Sequence, residues 1–498
     1  MRGALGPCRA GVGRTALVLF GVCFASGCAS LAPEYKRPAA PVERTFPFDE
    51  RLPSTVAEKT GHAVQVPFST FIKDERLAKL VERALTDNRS LRMAVAAIVA
   101  ARALYDREQA GRWPSLQAEL SASLGRNVSP AFSGAAFSQE RYQVGFALPS
   151  YELDLFGRLR NLSEAARERY LGQVQAARAV RLSLIGDVAV GFIAWAAANS
   201  RRELADRTAA LAQQAMELNE RRLQGGIGSR VDVRQAETVY QRARADVARY
   251  TADSARSHNG LQLLVGGALP TNVEGDDGAT AAPVLTADAG WFSTMPSGLS
   301  SRVLLRRPDV MEAEAYLRAA HADIGAARAA HFPRISLTAA LGLASTALSA
   351  FSGGGTPVWS VNPAANVPIF AAGGIEANVE YRQAERARLV ASYELTIQTA
   401  FKEVADALAA RSTIVEQVAA VQAQVRAAQE VYRLSEARYR NGVDAYLETL
   451  DAQRSLYEAE QALITAQQAE LNNRVAVYRT LGGQFELRPR GDGGDDEF

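Results

Sequence analysis

Four stretches of the chain alternate apolar residues with small or polar ones, the period that predicts β-strands with one apolar face. In the first stretch Leu116, Leu120 and Leu124 share one face, and Pro363 interrupts the fourth stretch. Each has about the length of a strand that spans an outer membrane, roughly 9–11 residues. The same pattern also fits two amphipathic hairpins of a soluble sheet. The four predicted strands are 115–124, 141–148, 335–344 and 359–369.

Two long segments, 150–269 and 369–488, contain no proline and are rich in Ala, Arg, Gln, Glu and Leu. This composition predicts very long helices. In the second segment Ile414, Val418 and Val421 recur at steps of 4 and 3 residues, a heptad-like seam suited to coiled-coil packing. A helix of about 65 residues is roughly 100 Å long, and no compact domain needs such an element.

The sequence repeats itself at an offset of 214–219 residues, which indicates two copies of one unit. Each copy contains a helix, a pair of strands and then long helices. Four landmarks recur in the same order, and constancy of the offset makes chance similarity improbable. The matched landmarks are Trp113-Pro114 with Phe332-Pro333, Leu155-Phe156 with Ile369-Phe370, 222–226 with 438–442, and 265–267 with 481–483.

If the four strands lie in a membrane, several chains must pool them. Four strands are too few for a membrane barrel, and open sheet edges are not tolerated in lipid. Two chains would supply eight strands and three chains would supply twelve. Because an eight-stranded barrel is filled by side chains, conduction favours three or more chains.

The N-terminus has the parts of an export signal: Arg2, Arg9 and Arg14 precede an apolar run at 16–25. Small residues then lead to Cys28, and the sequence Ala-Ser-Gly-Cys resembles a bacterial lipobox. We therefore expect S-diacylglycerol and an N-acyl group on Cys28, several chains that together anchor firmly. A plain signal peptide and an uncleaved anchor helix are the alternatives.

Composition excludes several classes of function. Lys+Arg is 56 and Asp+Glu is 54, so no excess of positive charge indicates a nucleic-acid partner. The three cysteines all fall within the first 28 residues, and only four histidines are present. No disulfide, no metal site and no cofactor other than the lipid is expected. Because no catalytic signature is found, we expect the protein not to be an enzyme.

The predicted organisation follows the repeat. Each repeat is expected to contain one hairpin, at 112–155 and at 332–370. The predicted segments are a signal peptide at 1–27, a proline-rich lipid-anchored tether at 28–70, a first repeat at 71–270, a connecting segment at 271–299, a second repeat at 300–485 and a disordered tail at 486–498.

Three local motifs carry a family resemblance. They are the post-lipid segment 31–38, the segment 304–310 with its Arg-Arg-Pro-Asp sequence, and the C-terminal segment 441–454. Together with the lipobox they resemble the outer membrane factor (TolC-like) family, in its lipoprotein efflux branch. The resemblance covers nearly all of the mature chain. Ser300 departs from the family, which usually has Pro there, and this change affects a connecting loop.

The resemblance implies a mixed α+β membrane protein in the outer membrane of a Gram-negative bacterium. A homotrimer would form a twelve-stranded β-barrel continuous with a long helical barrel across the periplasm. This tube would be the passive exit duct of a tripartite efflux pump, with a periplasmic adaptor and an inner-membrane transporter of the resistance-nodulation-division (RND) class. The alternatives are the duct of a type I protein-secretion system and, more remotely, a pore-free periplasmic coiled-coil scaffold.

Glycines interrupt the long helices at two repeat-related turns, where their conformational freedom suits a sharp reversal. The resemblance places these turns at the periplasmic tip and implies that they form the adaptor-docking grooves. Two ordinary helical turns with solvent-exposed arginines are the alternative. The implied docking residues are Arg222, Gly226, Arg438, Tyr439 and Gly442.

Leu447 and Asp451 are four residues apart and therefore share one helix face. The resemblance implies that they project into the tube and close its tip as an apolar ring and an acidic ring. Asp232, between Arg230 and Arg234, is expected to contribute interhelix ion pairs at this gate. For each carboxylate a solvated helix face is the alternative.

Overall fold

A computed structural model describes residues 30–47, 67–128, 136–269, 282–286, 290–293 and 300–483 of the 498-residue chain. The predicted signal peptide 1–27, the lipidation site Cys28 and the predicted tail 486–498 lie outside these residues, as does most of the connecting segment 271–299. Of the predicted tether, residues 30–47 and 67–70 are described.

Eight α-helices and four β-strands make up the regular structure of the described residues. Two short 3₁₀ helices, Ser301–Arg306 and Leu348–Gly353, complete it. In chain order the elements are α1 (Phe68–Phe71), α2 (Glu75–Asp87), α3 (Arg89–Ala110), β1 (Gln117–Val128), β2 (Ala136–Leu153), α4 (Arg158–Gln224), α5 (Arg230–Val265), α6 (Pro308–Ala329), β3 (Arg334–Ser345), β4 (Thr356–Asn366), α7 (Gly374–Arg440) and α8 (Tyr446–Thr480).

The element lengths confirm the internal duplication. Helices α4 and α7 are each 67 residues long, and α3 and α6 are each 22 residues long. Helices α5 and α8 have 36 and 35 residues. A 67-residue helix extends about 100 Å. Both halves of the chain therefore supply one helix of this length, one shorter helix that returns beside it and one hairpin.

The chain folds into two compact units, and each unit draws on several separate segments. The sheet belongs to the first unit, and the turns that join α4 to α5 and α7 to α8 belong to the second. The first unit comprises the described residues within Met1–Ala39, Ala97–Val174 and Glu312–Tyr393, and the second comprises those within Ala40–Ala96, Gln175–Met311 and Glu394–Phe498.

The second unit has a well-packed aromatic core. Phe71 is fully buried and stacks on Tyr478 with ring centroids 4.3 Å apart, and Phe192 packs against Trp291. This core explains the apolar stretch within α4. Of the described helices, α4 is the one long and apolar enough to cross a membrane, but 56% of its apolar window is buried inside the protein. The apolar stretch of α4 therefore serves packing between helices.

The four strands form one antiparallel sheet in the order β1-β2-β3-β4. The register places apolar side chains opposite one another on one face, with Leu120 opposite Val144 and Leu341 opposite both Phe146 and Trp359. These side chains are exposed within the single chain, as expected for a face that contacts lipid. The opposite face carries Glu119, Ser121 and Gln143 among other small and polar residues.

The strand bounds differ from the predicted ones. The largest difference is in β2, which runs from Ala136 to Leu153 and extends five residues beyond the stretch 141–148 at each end. Strand β4 is instead displaced along the chain. It begins at Thr356 and ends at Asn366, about three residues earlier at each end than the stretch 359–369. Pro363 lies inside β4, opposite Leu337. A proline has no N–H to donate to a neighbouring strand, and within one chain β4 has a strand neighbour on one side only.

A buried carboxylate fastens the described N-terminal segment 30–39, here called the strap, within the first unit. Glu314 on α6 is nearly inaccessible to solvent. It accepts hydrogen bonds from Arg37 at 2.9 and 2.8 Å, from the Tyr35 hydroxyl at 3.0 Å and from Arg318 at 2.8 Å. Because this one carboxylate receives two cations and a phenol, it is a well-satisfied buried ion.

Two lowered pKa values accompany the strap. Burial alone would raise the pKa of the Glu314 carboxyl, but hydrogen bonds from Arg37 and Tyr35 and the charge of Arg318 outweigh burial and lower it. Burial and then the charge of Arg386 lower the pKa of His321. Since Arg386 Nε donates to His321 Nε2 at 2.9 Å, the neutral imidazole carries its proton on Nδ1.

We expect Glu314→Ala to weaken the docking of the strap by on the order of 2 kcal/mol, because three donors lose their acceptor. The loss is smaller than for a fully buried pair since the Arg37 and Arg318 side chains are close to half exposed. Hydrogen exchange of the amides at 31–37 measures it, with exposed Glu376→Ala as the control.

The strap should also respond to pH in a defined direction. A depressed pKa means that the folded state favours the deprotonated form, so its stabilisation is complete above the ordinary pKa and declines in acid. Protection of the strap should therefore be greatest above about pH 6.5, fall as His321 is protonated and fall further as Glu314 is protonated. Equal protection factors, which are exchange rates corrected for the intrinsic pH dependence of amide exchange, at about pH 5 and at neutral pH would contradict this assignment.

Candidate gate and docking site

Two helical hairpin turns in the second unit share the same backbone geometry. Gly226 and Gly442 both have a φ of 74°, in the left-handed region that favours glycine. The turns close with the same hydrogen bonds, Ile227 N–H to the Arg222 carbonyl and Val443 N–H to the Arg438 carbonyl, each at 2.9 Å. This is a glycine-terminated helix end in which the last carbonyls are satisfied locally.

The arginines before the two turns are used differently. Arg438 forms a two-pronged ion pair with Asp444, with distances of 2.5 and 2.8 Å. The first turn has Gly228 where the second has Asp444, and an added Cβ there would lie 2.7 Å from the Leu223 nitrogen. Arg222 therefore has no carboxylate in its own turn.

Arg222 instead reaches across to the second hairpin. Its guanidinium lies over the Tyr439 ring, 4.6 Å from the ring centroid, and donates to the Tyr439 carbonyl at 3.3 Å. The Tyr439 hydroxyl in turn donates to Asn219 on α4 at 2.5 Å. A cation–π contact and two hydrogen bonds therefore connect the two hairpins inside one chain.

Tyr439 differs from the other predicted docking residues because its side chain is buried. The residue is 7% exposed and packs with Ala236, Tyr446 and Leu450. Arg438, Gly226 and Gly442 are exposed, and Arg222 is partly exposed. The structure therefore gives Tyr439 a packing role behind the turns. Whether the five residues contact a partner stays a prediction.

Two exposed apolar residues at the turns were missed by the sequence reasoning. Ile227 is 74% exposed and Val443 is 62% exposed, each directly after its left-handed glycine. The signal that could have found them is the repeat itself, because an apolar residue follows the glycine in both copies. Both hairpin tips therefore present an apolar side chain to the surroundings.

Leu447 and Asp451 lie on the exposed face of α8. Leu447 is 47% exposed, and the Asp451 side chain is 65% exposed, 3.8 Å from Arg454 on the same helix. On the other side of α8, Tyr446 and Leu450 are buried. Within a single chain the predicted gate residues therefore share one face that the chain itself leaves uncovered.

Asp232 is partly buried near the same tip. Arg234, two residues further along the chain, forms an ion pair with Glu237 on α5 at 2.5 Å. Among the described residues no ion pair is seen for Asp232. Burial, then Tyr439, Tyr432 and the charge of Asp232, raise the pKa of Tyr446 to about 12. The charge of Asp232 therefore contributes to the raised pKa of this buried tyrosine, behind the larger effect of burial.

No group of three or more His, Cys, Asp or Glu side chains that could hold a metal ion occurs in the part of the chain that the structure describes. The candidate site consists of exposed helix faces and turns rather than an enclosed cavity. Its chemistry is that of an exposed surface: an apolar side chain and a carboxylate on one face of α8, and an arginine before each turn.

The family described as outer membrane efflux protein matches this chain over residues 80–267 and 299–483, once for each repeat. The chain belongs to the outer membrane efflux protein family. It is an outer-membrane efflux channel and not an enzyme. The predicted family, fold class and outer-membrane location are thereby confirmed, and efflux is favoured over the alternatives of protein secretion and a pore-free scaffold.

Known relatives align with this efflux channel over most of both chains. It is 39% identical over 407 residues to the solvent efflux pump outer membrane protein SrpC of Pseudomonas putida, covering 81% of this chain and 84% of SrpC. It is 38% identical over 399 residues to the cation efflux system protein CusC of Escherichia coli, covering 80% of this chain and 83% of CusC.

Solved structures of outer-membrane channels have the same fold. A crystal structure of CusC matches with a TM-score of 0.81 at 36% identity, covering 92% of this chain and all of that one. The open state of the MtrE channel of Neisseria gonorrhoeae matches with a TM-score of 0.81 at 35% identity, covering 91% of this chain and 98% of that one.

We expect Tyr439→Phe to loosen the two hairpins of this efflux channel relative to each other. The substitution keeps the ring under Arg222 but leaves the buried Asn219 oxygen without its donor, a loss of about 1–2 kcal/mol. Hydrogen exchange of amides in 219–227 and 435–446 should accelerate. Tyr240→Phe, at a partly buried position on α5, is the control and should leave these amides unchanged.

Proposed function

We propose that this protein is the outer-membrane exit duct of a tripartite efflux pump, and that it works as a homotrimer. The observation that carries the proposal is the open four-stranded sheet with an apolar outer face. Edges β1 and β4 have no strand partner among the described residues. In lipid such edges must be paired, and twelve strands from three chains close a barrel wide enough to conduct.

Exposed apolar residues on the helices support assembly of several copies. A monomeric soluble protein seldom exposes so many large apolar side chains on its long helices. Burial of these residues against neighbouring copies would supply the hydrophobic contribution that holds the tube together. They are Met93, Val99 and Leu104 on α3 and Leu395, Val415, Val431 and Leu434 on α7.

The proposed partners are a periplasmic adaptor at the hairpin tips and an inner-membrane transporter, of the RND class by family resemblance. The tips offer the apolar Ile227 and Val443 beside the arginines Arg222 and Arg438. An adaptor that fits them would present apolar side chains and hydrogen-bond acceptors. Gly226 and Gly442 keep the backbone accessible there, because a glycine has no side chain to cover it.

The cargo is proposed to be whatever the transporter delivers. SrpC is named for solvent efflux and CusC for cation efflux, yet both are similar to this chain to nearly the same degree, at 39% and 38% identity. A passive duct whose relatives serve such different cargoes is not the site of selection. Selection therefore belongs to the energised part of the pump.

The gate is proposed to form where the exposed face of α8 meets its copies. Three Leu447 side chains would make an apolar ring, and three Asp451 carboxylates would make an acidic ring one turn away. Like charges held close together repel, and they attract cations. Asp232, which lies between Arg230 and Arg234 in the sequence, would supply interhelix ion pairs at this gate.

The N-terminus is proposed to be anchored by lipid on Cys28. Lipid there would place the membrane attachment two residues before the described strap, which Glu314 fastens within the first unit. Several acyl chains on one residue anchor a protein firmly, whereas one chain binds only marginally. The mass of the N-terminal peptide of the mature protein tests this, since an unmodified Cys28 thiol contradicts it.

We expect Leu447→Ala combined with Asp451→Ala to raise the ion conductance of the purified channel in planar bilayers several-fold. The substitutions shorten the apolar ring and remove the acidic one, so the constriction widens. Asp451→Asn alone should reduce the preference for cations. The native mass of the same sample should correspond to three chains.

The matched control for the gate is the equivalent pair of the first repeat. Val231→Ala combined with Gln235→Ala makes the same kind of change at the corresponding positions of α5. This variant should conduct like the wild type if α8 forms the gate. Equal conductance of the gate variant and the wild type would remove the gate assignment, and a monomeric mass would remove the proposed duct.

Docking at the tips can be tested in cells with a photoreactive amino acid. Placed at Ile227 or at Val443, it should cross-link to a periplasmic adaptor that mass spectrometry identifies. Leu263, equally exposed near the C-terminal end of α5, is the control position and should give no adaptor adduct. Cross-links at Leu263 but not at the tips would place docking elsewhere.

A further inference from the structure

An aromatic residue flanks each of the four strands, and all four residues lie at the same end of the sheet. Trp113 precedes β1, Phe156 follows β2, Phe332 precedes β3 and Phe370 follows β4. Because neighbouring strands are antiparallel, the start of one lies beside the end of the next. The four aromatic residues therefore mark the ends of the strands that join the helices.

Two of these residues form a pair inside the chain. Phe156 stacks on Phe332 with ring centroids 4.7 Å apart and an interplanar angle of 20°. The stack lies at the foot of the β2–β3 pairing, next to the last matched residues Leu153 and Ile335. One ring comes from the first repeat and the other from the second repeat.

The other two residues occupy equivalent positions and are exposed. The repeat relates Phe370 to Phe156 and Trp113 to Phe332. Phe370 is 89% exposed and Trp113 is 72% exposed, far more than Phe332 at 39%. Phe370 follows β4 and Trp113 precedes β1, the two edge strands of the sheet. Because β4 and β1 do not pair with each other within one chain, these two rings are not neighbours there.

We propose that Trp113 of one copy stacks on Phe370 of the next, which makes this aromatic pair the base of each junction between chains. The inference rests on the proposed homotrimer, in which β4 of one copy pairs with β1 of another. A contact seen once inside the chain would then be repeated three times between chains. Offset stacking of two such rings contributes about 0.5–1.5 kcal/mol beyond the area they bury.

The repeat also gives the register of the junction. Leu153 opposite Ile335 within the chain corresponds to Val367 of one copy opposite Leu116 of the next. Val367 and Leu116 are both exposed. Leu116 shares the apolar face of Leu120, and Val367 shares that of Trp359. A slip of one residue would place one of them on the polar face, which supports the transferred register.

The backbone after Phe370 is held in an unusual conformation. Ala372 has a φ of 49° and Gly373 a φ of 80°, whereas in the first repeat a single residue, Gly157 at 72°, follows Phe156. A left-handed alanine costs about 1 kcal/mol and persists only where the surroundings require it. A contact between chains at Phe370 would meet that requirement.

Cysteine cross-linking in the outer membrane tests the pair. Apart from the proposed lipidation site Cys28, the mature chain has no cysteine, so introduced thiols are unambiguous. Trp113→Cys combined with Phe370→Cys, treated with a short bifunctional maleimide, should give linked dimers and trimers on a denaturing gel. Phe156→Cys combined with Phe332→Cys is the matched reference and should link within one chain without raising the mass.

Each outcome decides something different. Either cysteine alone should give no linked chains. A trimer by native mass in which the reference pair links and the Trp113–Phe370 pair does not would overturn the junction and leave the proposed duct intact. If the two rings only line the bilayer interface and do not stack, the same outcome is expected: an intact trimer whose Trp113–Phe370 pair does not link. Absence of any trimer would overturn both.

If the double cysteine variant fails to reach the outer membrane, Leu116→Cys combined with Val367→Cys tests the same junction at the neighbouring register position. This variant should give the same linked dimers and trimers. Failure of its thiols to link in an intact trimer would also overturn the proposal.

Discussion

A strand at the edge of a sheet leaves a row of N–H and C=O groups without partners, and hydrocarbon offers no water to supply them. The four-stranded sheet of this protein ends at β1 on one side and at β4 on the other. Its apolar side chains face outward, so the sheet is suited to lipid but is incomplete in one chain. The proposed pairing of these edges between copies would also cover the exposed apolar residues of the helices and the exposed aromatic residues at the strand ends.

Duplication of one unit provides a simple route to such a structure. The two repeats supply equal helices and equal turns, and the left-handed glycines Gly226 and Gly442 close both tips with the same hydrogen bonds. One difference between the repeats changes how the two hairpins contact each other. Gly228 in place of an acid frees Arg222 to contact Tyr439, so an exchange of one side chain converts two similar hairpins into a connected pair.

Much of this architecture could be predicted from the sequence, because alternation, absence of proline and repeat offsets are local signals. The family, the four strands and the glycine turns were reached in that way. Other features depend on which helices become neighbours. Tyr439 is buried only because Asn219, Ala236 and Tyr446 surround it, and Glu314 is satisfied by residues about 280 positions earlier in the chain. The bounds of β2 and β4 follow from their pairing with neighbouring strands, which alternation alone does not reveal.

The equal lengths of α4 and α7 also restrict how the protein can evolve. A single inserted residue turns everything beyond it by about 100° and moves the tip by about 1.5 Å. An insertion in one long helix alone would rotate Arg222 away from the Tyr439 ring and change which face the partner helix presents. Length changes in these two helices should therefore be inherited in matched pairs, one in each repeat, and in steps that restore the helical phase.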